Sequence, residues 1–190
     1  MIFSANGQLG GKRKNDQDEE CHFKPDYAIF VKQRSLRLDL SCAEAKSPVN
    51  TAVFPKSDLI KIAQEMKWML NKLVREGVET PVVGGVLITG FTMYTFKMEL
   101  IDASIYRMVQ LSKSLLFRNF QGLVLLPTIV SNLLQLKNIT LTTANKTKDR
   151  LLKKAKGVPP EYNPPLSWLQ DAEISLPPAF SLKETVESNA

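Results

Sequence analysis

The feature that most constrains the fold is a long amphipathic helical pattern that lies between segments of strand-like pattern. Its apolar side chains recur three and four positions apart, as on one face of an α-helix: Leu59, Ile62, Met66, Met69, Leu70 and Leu73. Ser57 is placed to cap the start of this helix, and Gly77 is placed to end it. Because strand-like segments flank it, the chain is predicted to be an α/β protein.

Two strand-like segments precede the helix. Residues 26–31 are β-branched and aromatic and follow Pro25, which is typical of a strand. In the second segment, a period of two places five side chains on one face: Leu38, Leu40, Cys42, Glu44 and Lys46. A carboxylate and an amine therefore extend an apolar stripe. Such a face ends in charges either because a site uses them or because the strand end emerges into water.

Three more strand-like runs follow Pro81, over residues 82–88, 91–100 and 105–111, and they are expected to form a meander. A second helix is predicted from about Thr128 to Thr143 or a little beyond, with Pro127 at or near its first turn. The predicted fold is a mixed β-sheet flanked by helices, formed by residues 21–145.

The two ends of the chain differ from this core in composition. Residues 1–20 are rich in glycine and charge, and we expect a flexible polar leader. Residues 158–190 hold six of the eleven prolines and are net acidic, which predicts an extended, disordered tail. Residues 146–157 form a basic segment between the core and this tail.

Composition excludes several classes of protein. One histidine and two cysteines are too few for a zinc site, which takes about four such ligands. A catalytic triad would depend on His22, which follows an acidic run and is a poor base. No apolar run approaches the ~20 residues of a membrane span, and no secretory signal is recognised. We expect an intracellular protein of the nucleus or cytoplasm, with no membrane association.

The charge is uneven along the chain. The net charge is +6, but residues 158–190 carry −4, so that residues 1–157 carry +10. Six cations cluster after the second helix: Lys146, Lys148, Arg150, Lys153, Lys154 and Lys156. This cluster is predicted to be a solvated basic patch that binds nucleic acid through its phosphates, independently of base sequence. A solvated extension of the helix is the alternative.

One short motif links the strands to known chemistry. Pro25-Asp26 stands at the head of the first strand, Glu44-Ala45-Lys46 ends the second, and the long helix follows. This order resembles the PD-(D/E)XK, or restriction-endonuclease-like, superfamily. The wider runs Asp58-Leu59-Ile60-Lys61 and Ile105-Tyr106-Arg107-Met108-Val109 look like uncharacterised fungal nuclease-fold proteins, and the resemblance covers residues 20–145.

The resemblance implies a restriction-endonuclease-like core and a phosphodiesterase site. Asp26, Glu44 and the carbonyl of Ala45 would hold Mg²⁺ or Mn²⁺, and Lys46 would position water or stabilise developing charge. Gln64 and Trp68 are similar to a Gln-x-x-x-Tyr element of the RecB-like branch, with Trp in place of Tyr. A Trp at this spacing is more often part of a core. Glu65 is equally well interpreted as an exposed helix charge paired with Lys61 or Lys72.

Several alternatives stay open at the level of sequence. Family members usually place a helix before the first strand, whereas only the polar leader precedes Pro25 here, with Glu19 or Glu20 as a substitute acid. The chain is thus a divalent-metal-dependent nuclease, a degenerate copy of one, or a non-catalytic module that binds protein or nucleic acid. In the last case Asp26 is a turn residue, and Glu44 and Lys46 are a charged strand end. Substrate and oligomeric state are left open.

Overall fold

A computed structural model describes residues 2–5, 25–46 and 56–170. The strands, in chain order, are β1 (Ile2–Ala5), β2 (Tyr27–Gln33), β3 (Leu36–Lys46), β4 (Val82–Thr89), β5 (Thr92–Asp102) and β6 (Ile105–Leu115). The helices are α1 (Lys56–Arg75) and α2 (Leu126–Ala155), with short 3₁₀ turns at Phe120–Leu125 and Leu166–Trp168.

All six strands form one sheet in the order of the sequence. Neighbouring strands are antiparallel except β3 and β4, which are parallel. A parallel pair needs a crossover connection, and α1 provides it. The predicted mixed sheet flanked by helices is confirmed, and so is the β4–β5–β6 meander; β2 and β3 form an antiparallel hairpin.

The helices lie on opposite faces of the sheet, as two adjacent glycines of β4 show. A Cβ atom built on Gly84 would meet Leu136 of α2, whereas one built on Gly85 would meet Met66 of α1. Successive residues of a strand point to opposite faces. The molecule therefore has three layers, with α1, the sheet and α2 stacked in turn.

The main hydrophobic core lies between α1 and the sheet. The predicted stripe of β3 points into it, since Leu38, Leu40 and Cys42 are buried there. The helix contributes fully buried side chains that include Ile62, Met66, Met69, Leu70 and Leu73. Both periodic patterns found in the sequence are thus confirmed as the two sides of one core.

The ends of α1 are confirmed in part. The helix begins at Lys56, so Ser57 lies inside the first turn instead of preceding it. At the other end Gly77 has φ +75°, its N–H donates to the carbonyl of Val74, and Val78 N–H donates to Leu73. Only glycine adopts this left-handed conformation without strain, which explains its place after the helix.

Helix α2 is almost twice as long as predicted, because a row of threonines continues its buried face. Thr140, Thr143 and Thr147 are buried and satisfy their hydroxyls on nearby carbonyls. Thr143 Oγ1 donates to the carbonyl of Val82 and accepts from its N–H, which fastens α2 to β4. An apolar pattern alone does not reveal such a face.

Two segments near the ends of the chain contact the domain within the described residues, while the flexible leader and the disordered tail stay predictions. Residues 2–5 of the supposed leader form β1, which pairs with β2. Residues 158–170 of the supposed tail are held against the domain: Thr80 N–H donates to Asn163, Ser104 N–H to Trp168, and Gln170 N–H to the hydroxyl of Tyr106. Residues 6–24 and 171–190 lie outside the described part of the chain.

The helical stretch Phe120–Ala155 is long and apolar enough to cross a membrane by length and composition alone. Only 11% of its most apolar window is buried, so this stretch is not a core helix, but a single helix of this kind is weak evidence for a membrane span. The expectation of a protein without membrane association stays a prediction.

Candidate functional site

The sheet topology brings the predicted site residues to one place. Strand β2 begins beside the end of β3, because the two strands are antiparallel and Tyr27 pairs with Ala43. Asp26, just before β2, therefore reaches the Glu44–Lys46 end of β3. Its Oδ2 accepts a hydrogen bond of 2.8 Å from the N–H of Ala45.

This place is also the carboxyl end of the parallel pair. Glu44, Ala45 and Lys46 lie beside Leu87, Ile88 and Thr89 at the end of β4. Open α/β sheets commonly bind ligands at the carboxyl ends of their parallel strands. The motif thus lies where the fold favours a site.

Glu44 is the centre of an ionic cluster. Its side chain is only 2% exposed, and its two oxygens face different lysines. Oε1 accepts a hydrogen bond of 2.5 Å from Nζ of Lys61 on α1. Oε2 lies 3.6 Å from Nζ of Lys46, whose side chain is 41% exposed. The predicted sharing of one strand face by Glu44 and Lys46 is confirmed.

Glu65 is the site residue that the sequence analysis misplaced. It is not an exposed helix charge, because its side chain is 0% exposed and lies next to Glu44 and Cys42. Within the described residues neither carboxylate oxygen has a well-aligned hydrogen-bond partner, although the Glu44 carboxylate and the Cys42 thiol are close enough to interact with it, and Lys61 Nζ lies 3.9 Å from Oε1. Burial, followed by the charge of Glu44, raises the pKa of Glu65 to about 7, against the opposing effect of Lys61.

Lys61 connects the carboxylates. Burial alone would lower the pKa of its ammonium, but the hydrogen bond to Glu44 and the charges of Glu44, Glu65 and Asp26 outweigh this effect and raise it. Beneath the cluster, burial and the neighbouring carboxylates raise the pKa of the Cys42 thiol well above its usual range. The thiol therefore stays protonated, and the charges of the cluster reside on the carboxylates and lysines.

The position of Glu65 in the helical repeat indicates that it lies on the buried face of α1. It stands three residues after Ile62 and four before Met69, which are both fully buried. A residue at those offsets lies on the same side of the helix as its neighbours. Lys61 is at the margin of that side, from which a long side chain reaches Glu44.

The other predicted helix element lies at the side of the core. Gln64 and Trp68 are half-buried, and Trp68 packs against the main hydrophobic core. Lys72 Nζ lies 5.0 Å from the centre of the Trp68 ring. Trp68 thus has a packing role, and a catalytic role for this pair stays a prediction.

The basic segment is the last part of α2, and its six cations divide into two groups. Lys146 donates to Thr80 at 2.8 and 3.1 Å, and Lys154 pairs with Glu76 at 2.7 Å. Arg150 is buried and donates to the carbonyls of Glu76 and Val158. The prediction of a solvated patch is therefore wrong at Arg150, whose hydrogen bonds join three segments. The other three cations, Lys148, Lys153 and Lys156, are exposed, as is the paired Lys154.

The donor types at the cluster suit Mg²⁺ or Mn²⁺, which prefer carboxylate and carbonyl oxygens. The two oxygens of Glu65 have no hydrogen-bond partner among the described residues, whereas a buried carboxylate normally has one. Among the described residues, however, no group of three His, Cys, Asp or Glu side chains is arranged to hold a metal ion. As it stands, the ammonium of Lys61 lies among the carboxylates.

Comparison of the chain with protein-family models, with curated proteins and with solved structures found no match. The residues of the site therefore carry the functional argument.

Proposed function

We propose that this protein is a divalent-metal-dependent phosphodiesterase of the nuclease type, built on a restriction-endonuclease-like core. The observation that carries the proposal is the convergence of Asp26 with Glu44 and Lys46 at the carboxyl end of the parallel strand pair. The surrounding layout also supports the proposal. It consists of the antiparallel β2–β3 hairpin, the long helix α1 and strand β4, which is parallel to β3.

Asp26, Glu44 and the carbonyl of Ala45 are the ligands proposed for Mg²⁺ or Mn²⁺. When bound, such an ion makes water more acidic and neutralises charge that builds up on a phosphoryl group. The Ala45 N–H fixes one oxygen of Asp26. This hydrogen bond orients the carboxylate toward the end of β3, and such preorganisation is what an active site requires.

Lys46 provides the positive charge on the side of the solvent. Its ammonium is near Glu44 but 41% exposed, so that it can meet a phosphate oxygen that approaches from outside. A lysine at this place acts as a compact point charge on an oxygen that becomes more negative in the transition state. Its proposed role is to stabilise that charge and to orient the scissile phosphate.

Nucleic acid is the proposed substrate class. The net charge of +10 on residues 1–157 favours binding of a polyanion. Lys148, Lys153 and Lys156 are exposed on one helix end and are the proposed phosphate contacts. Each phosphate contact of this kind lowers the affinity further as salt is raised.

The experiment separates chemistry from binding. We expect Glu44→Gln to abolish Mn²⁺-dependent nicking of plasmid DNA or cleavage of a labelled RNA, while binding of the same nucleic acid stays nearly unchanged. Replacement of Lys148, Lys153 and Lys156 by Gln should weaken binding and its salt dependence instead. Glu79→Gln, an exposed acidic residue outside the cluster, is the matched control. Equal cleavage by wild type and Glu44→Gln would contradict the proposal.

A non-catalytic binding module on the same scaffold is the second candidate, and a specific surface favours it. Large apolar side chains at helical spacing are exposed along α2 and the turn before it: Phe120, Leu123, Leu126, Val130, Leu133, Leu134 and Leu141. Exposed apolar surface of this extent is typical of an interaction site. If wild type binds nucleic acid or protein but never cleaves, this candidate replaces the enzyme.

A further inference from the structure

We infer that Lys61 acts as an internal cation that occupies the position of a divalent ion among Asp26, Glu44 and Glu65, so that replacing it with a neutral residue exposes a tighter metal site. The inference rests on the proposed function, because the ion concerned is the one proposed to serve phosphodiester cleavage. It adds Glu65 to the set of ligands and gives Lys61 control over access to them.

The position of the ammonium is the first observation. Lys61 Nζ is 2.5 Å from Glu44 Oε1 and 3.9 Å from Glu65 Oε1, and its charge also interacts with Asp26. Two carboxylates, from β3 and α1, thus share one cation, and the carboxylate of Asp26 lies farther from it. This is the arrangement in which a bound metal ion would otherwise balance their charge.

The unsatisfied carboxylate of Glu65 is the second observation. Both of its oxygens are buried without a hydrogen-bond partner among the described residues. At 3.9 Å the ammonium is too far away to make a hydrogen bond with it. Lys61 satisfies Glu44 but not Glu65, whereas a divalent ion takes six or more oxygen ligands and can contact both. A divalent ion would thus satisfy a carboxylate to which the ammonium makes no hydrogen bond.

The exposure of Lys61 is the third observation. Its side chain is 34% exposed, while those of Glu44 and Glu65 are 2% and 0% exposed. Lys61 therefore lies between the buried carboxylates and solvent, on a flexible four-carbon stem. An ion that enters from solvent must displace this ammonium, so the two cations compete for the same oxygens.

The test measures Mn²⁺ affinity from the electron paramagnetic resonance signal of the free ion, in the absence of nucleic acid. Lys61→Gln removes the charge but keeps a donor for Glu44, and we expect its Kd for Mn²⁺ to be about tenfold or more below that of wild type. Adding Glu65→Gln to this variant should remove the gain. Lys72→Gln, three turns along the same helix, should bind as wild type does.

Folding is checked by melting each variant with and without Mn²⁺. If Lys61→Gln folds only when Mn²⁺ is present, the concentration-dependent rise of its Tm supports the inference in the same way. If it does not fold with Mn²⁺ either, the metal fails to replace the ammonium and the inference is wrong. Lys61→Met, which keeps the apolar stem, repeats the measurement without the amide donor and must give the same answer.

The results separate the inference from the proposed function. Equal Mn²⁺ affinities of wild type and Lys61→Gln, both lost in Asp26→Asn, would overturn the inference while the metal site stands. Tighter binding by Lys61→Gln without cleavage by any variant would uphold the inference and remove the proposed enzyme. No Mn²⁺ binding by either protein would overturn both.

Discussion

The two buried glutamates of the site, Glu44 and Glu65, differ in the partners that their carboxylates have. Glu44 is buried but holds hydrogen bond and ion-pair partners on two sides. Glu65, one helix turn from Lys61, is fully buried and has only a long ion pair of 3.9 Å with that lysine, so burying its charged form costs more free energy. Burying a carboxylate favours its protonated form, so that the stability of the fold depends on pH through this residue.

The dependence on pH has a defined sign. In metal-free protein the folded-state pKa of Glu65 is about 7, above its ordinary value of 4.5, so the folded state holds the proton more tightly. The free energy of unfolding should thus fall as pH rises from 4.5 to about 7, by no more than about 1.4 kcal/mol per pH unit. Glu65→Gln should flatten this slope. Urea unfolding in EDTA at several pH values measures it, and equal slopes in both proteins would contradict the assignment.

At the scale of elements, the sheet depends on close approach of helices on both sides of β4. Gly84 and Gly85 have no side chains, and this lets Leu136 of α2 and Met66 of α1 contact the strand. The Cβ of an alanine at position 84 would lie 2.8 Å from Leu136 Cδ1 and 3.0 Å from Ser41 Oγ. These contacts are shorter than van der Waals distance, so the helix or the side chain would have to move.

We expect Gly84→Ala to lower the free energy of unfolding by about 1–3 kcal/mol, the usual cost of overpacking a core. Leu136→Ala alone should cost about 2–5 kcal/mol because it leaves a cavity. Together they should cost less than the sum of the two, because the added methyl group enters the space vacated by leucine. Urea unfolding of the four proteins gives the coupling, and strict additivity would show that the two residues are not in contact.

Helices and strands could be predicted from the sequence where their apolar residues recur at one regular spacing. The face of β3 from Leu38 to Lys46 and the apolar face of α1 were readable, because alternation and helical spacing follow directly from backbone geometry. The second half of α2 could not be predicted in this way, because threonines make up part of its buried face: Thr147 bonds to a carbonyl of its own helix and Thr143 to the carbonyl of Val82 on β4. A polar residue becomes a core residue through such partners, and a single sequence does not name them.

The same limit applies to the site. Asp26, Glu44 and Lys46 were found because they form a compact motif on a predicted strand pair. Lys61 and Glu65 come from another element, and their meeting with Glu44 depends on how α1 lies across the sheet. Helical phase placed Glu65 on the buried side, but a charged residue on that side is usually assigned to the helix margin.

At the scale of the whole molecule, the segment that follows α2 is fastened to the rest by a few polar contacts. Arg150 donates to the carbonyls of Glu76 and Val158, and so links α2, the loop after α1 and the following segment. Gln170 N–H donates to the hydroxyl of Tyr106, which in turn donates to Asn71 on α1. The proline-rich composition predicted a detached tail here. Composition does not show which backbone carbonyls, such as that of Val158, accept hydrogen bonds from side chains distant in sequence.

Arg150 should therefore be a residue of stability and not of nucleic-acid binding. We expect Arg150→Ala to lower the free energy of unfolding by about 2 kcal/mol, because the buried guanidinium loses its hydrogen bonds to two carbonyls that hold three segments together. Lys153→Ala, exposed on the same helix, should change stability by less than about 0.5 kcal/mol but weaken binding of nucleic acid. Urea unfolding measures the stability of both variants, and a binding titration at several salt concentrations measures their affinity for nucleic acid. If Arg150 contacted phosphate, Arg150→Ala would weaken binding and leave stability nearly unchanged.

The most direct test of the central claim is calorimetric titration of Mn²⁺ into wild type and into Asp26→Asn. Asparagine keeps an acceptor for the Ala45 N–H but removes the charge, so the variant preserves the local fold. We expect about one Mn²⁺ per wild-type chain, bound weakly because of competition from Lys61, and no binding by Asp26→Asn. Absence of binding to both proteins, or equal binding by both, would contradict a metal site at Asp26 and Glu44.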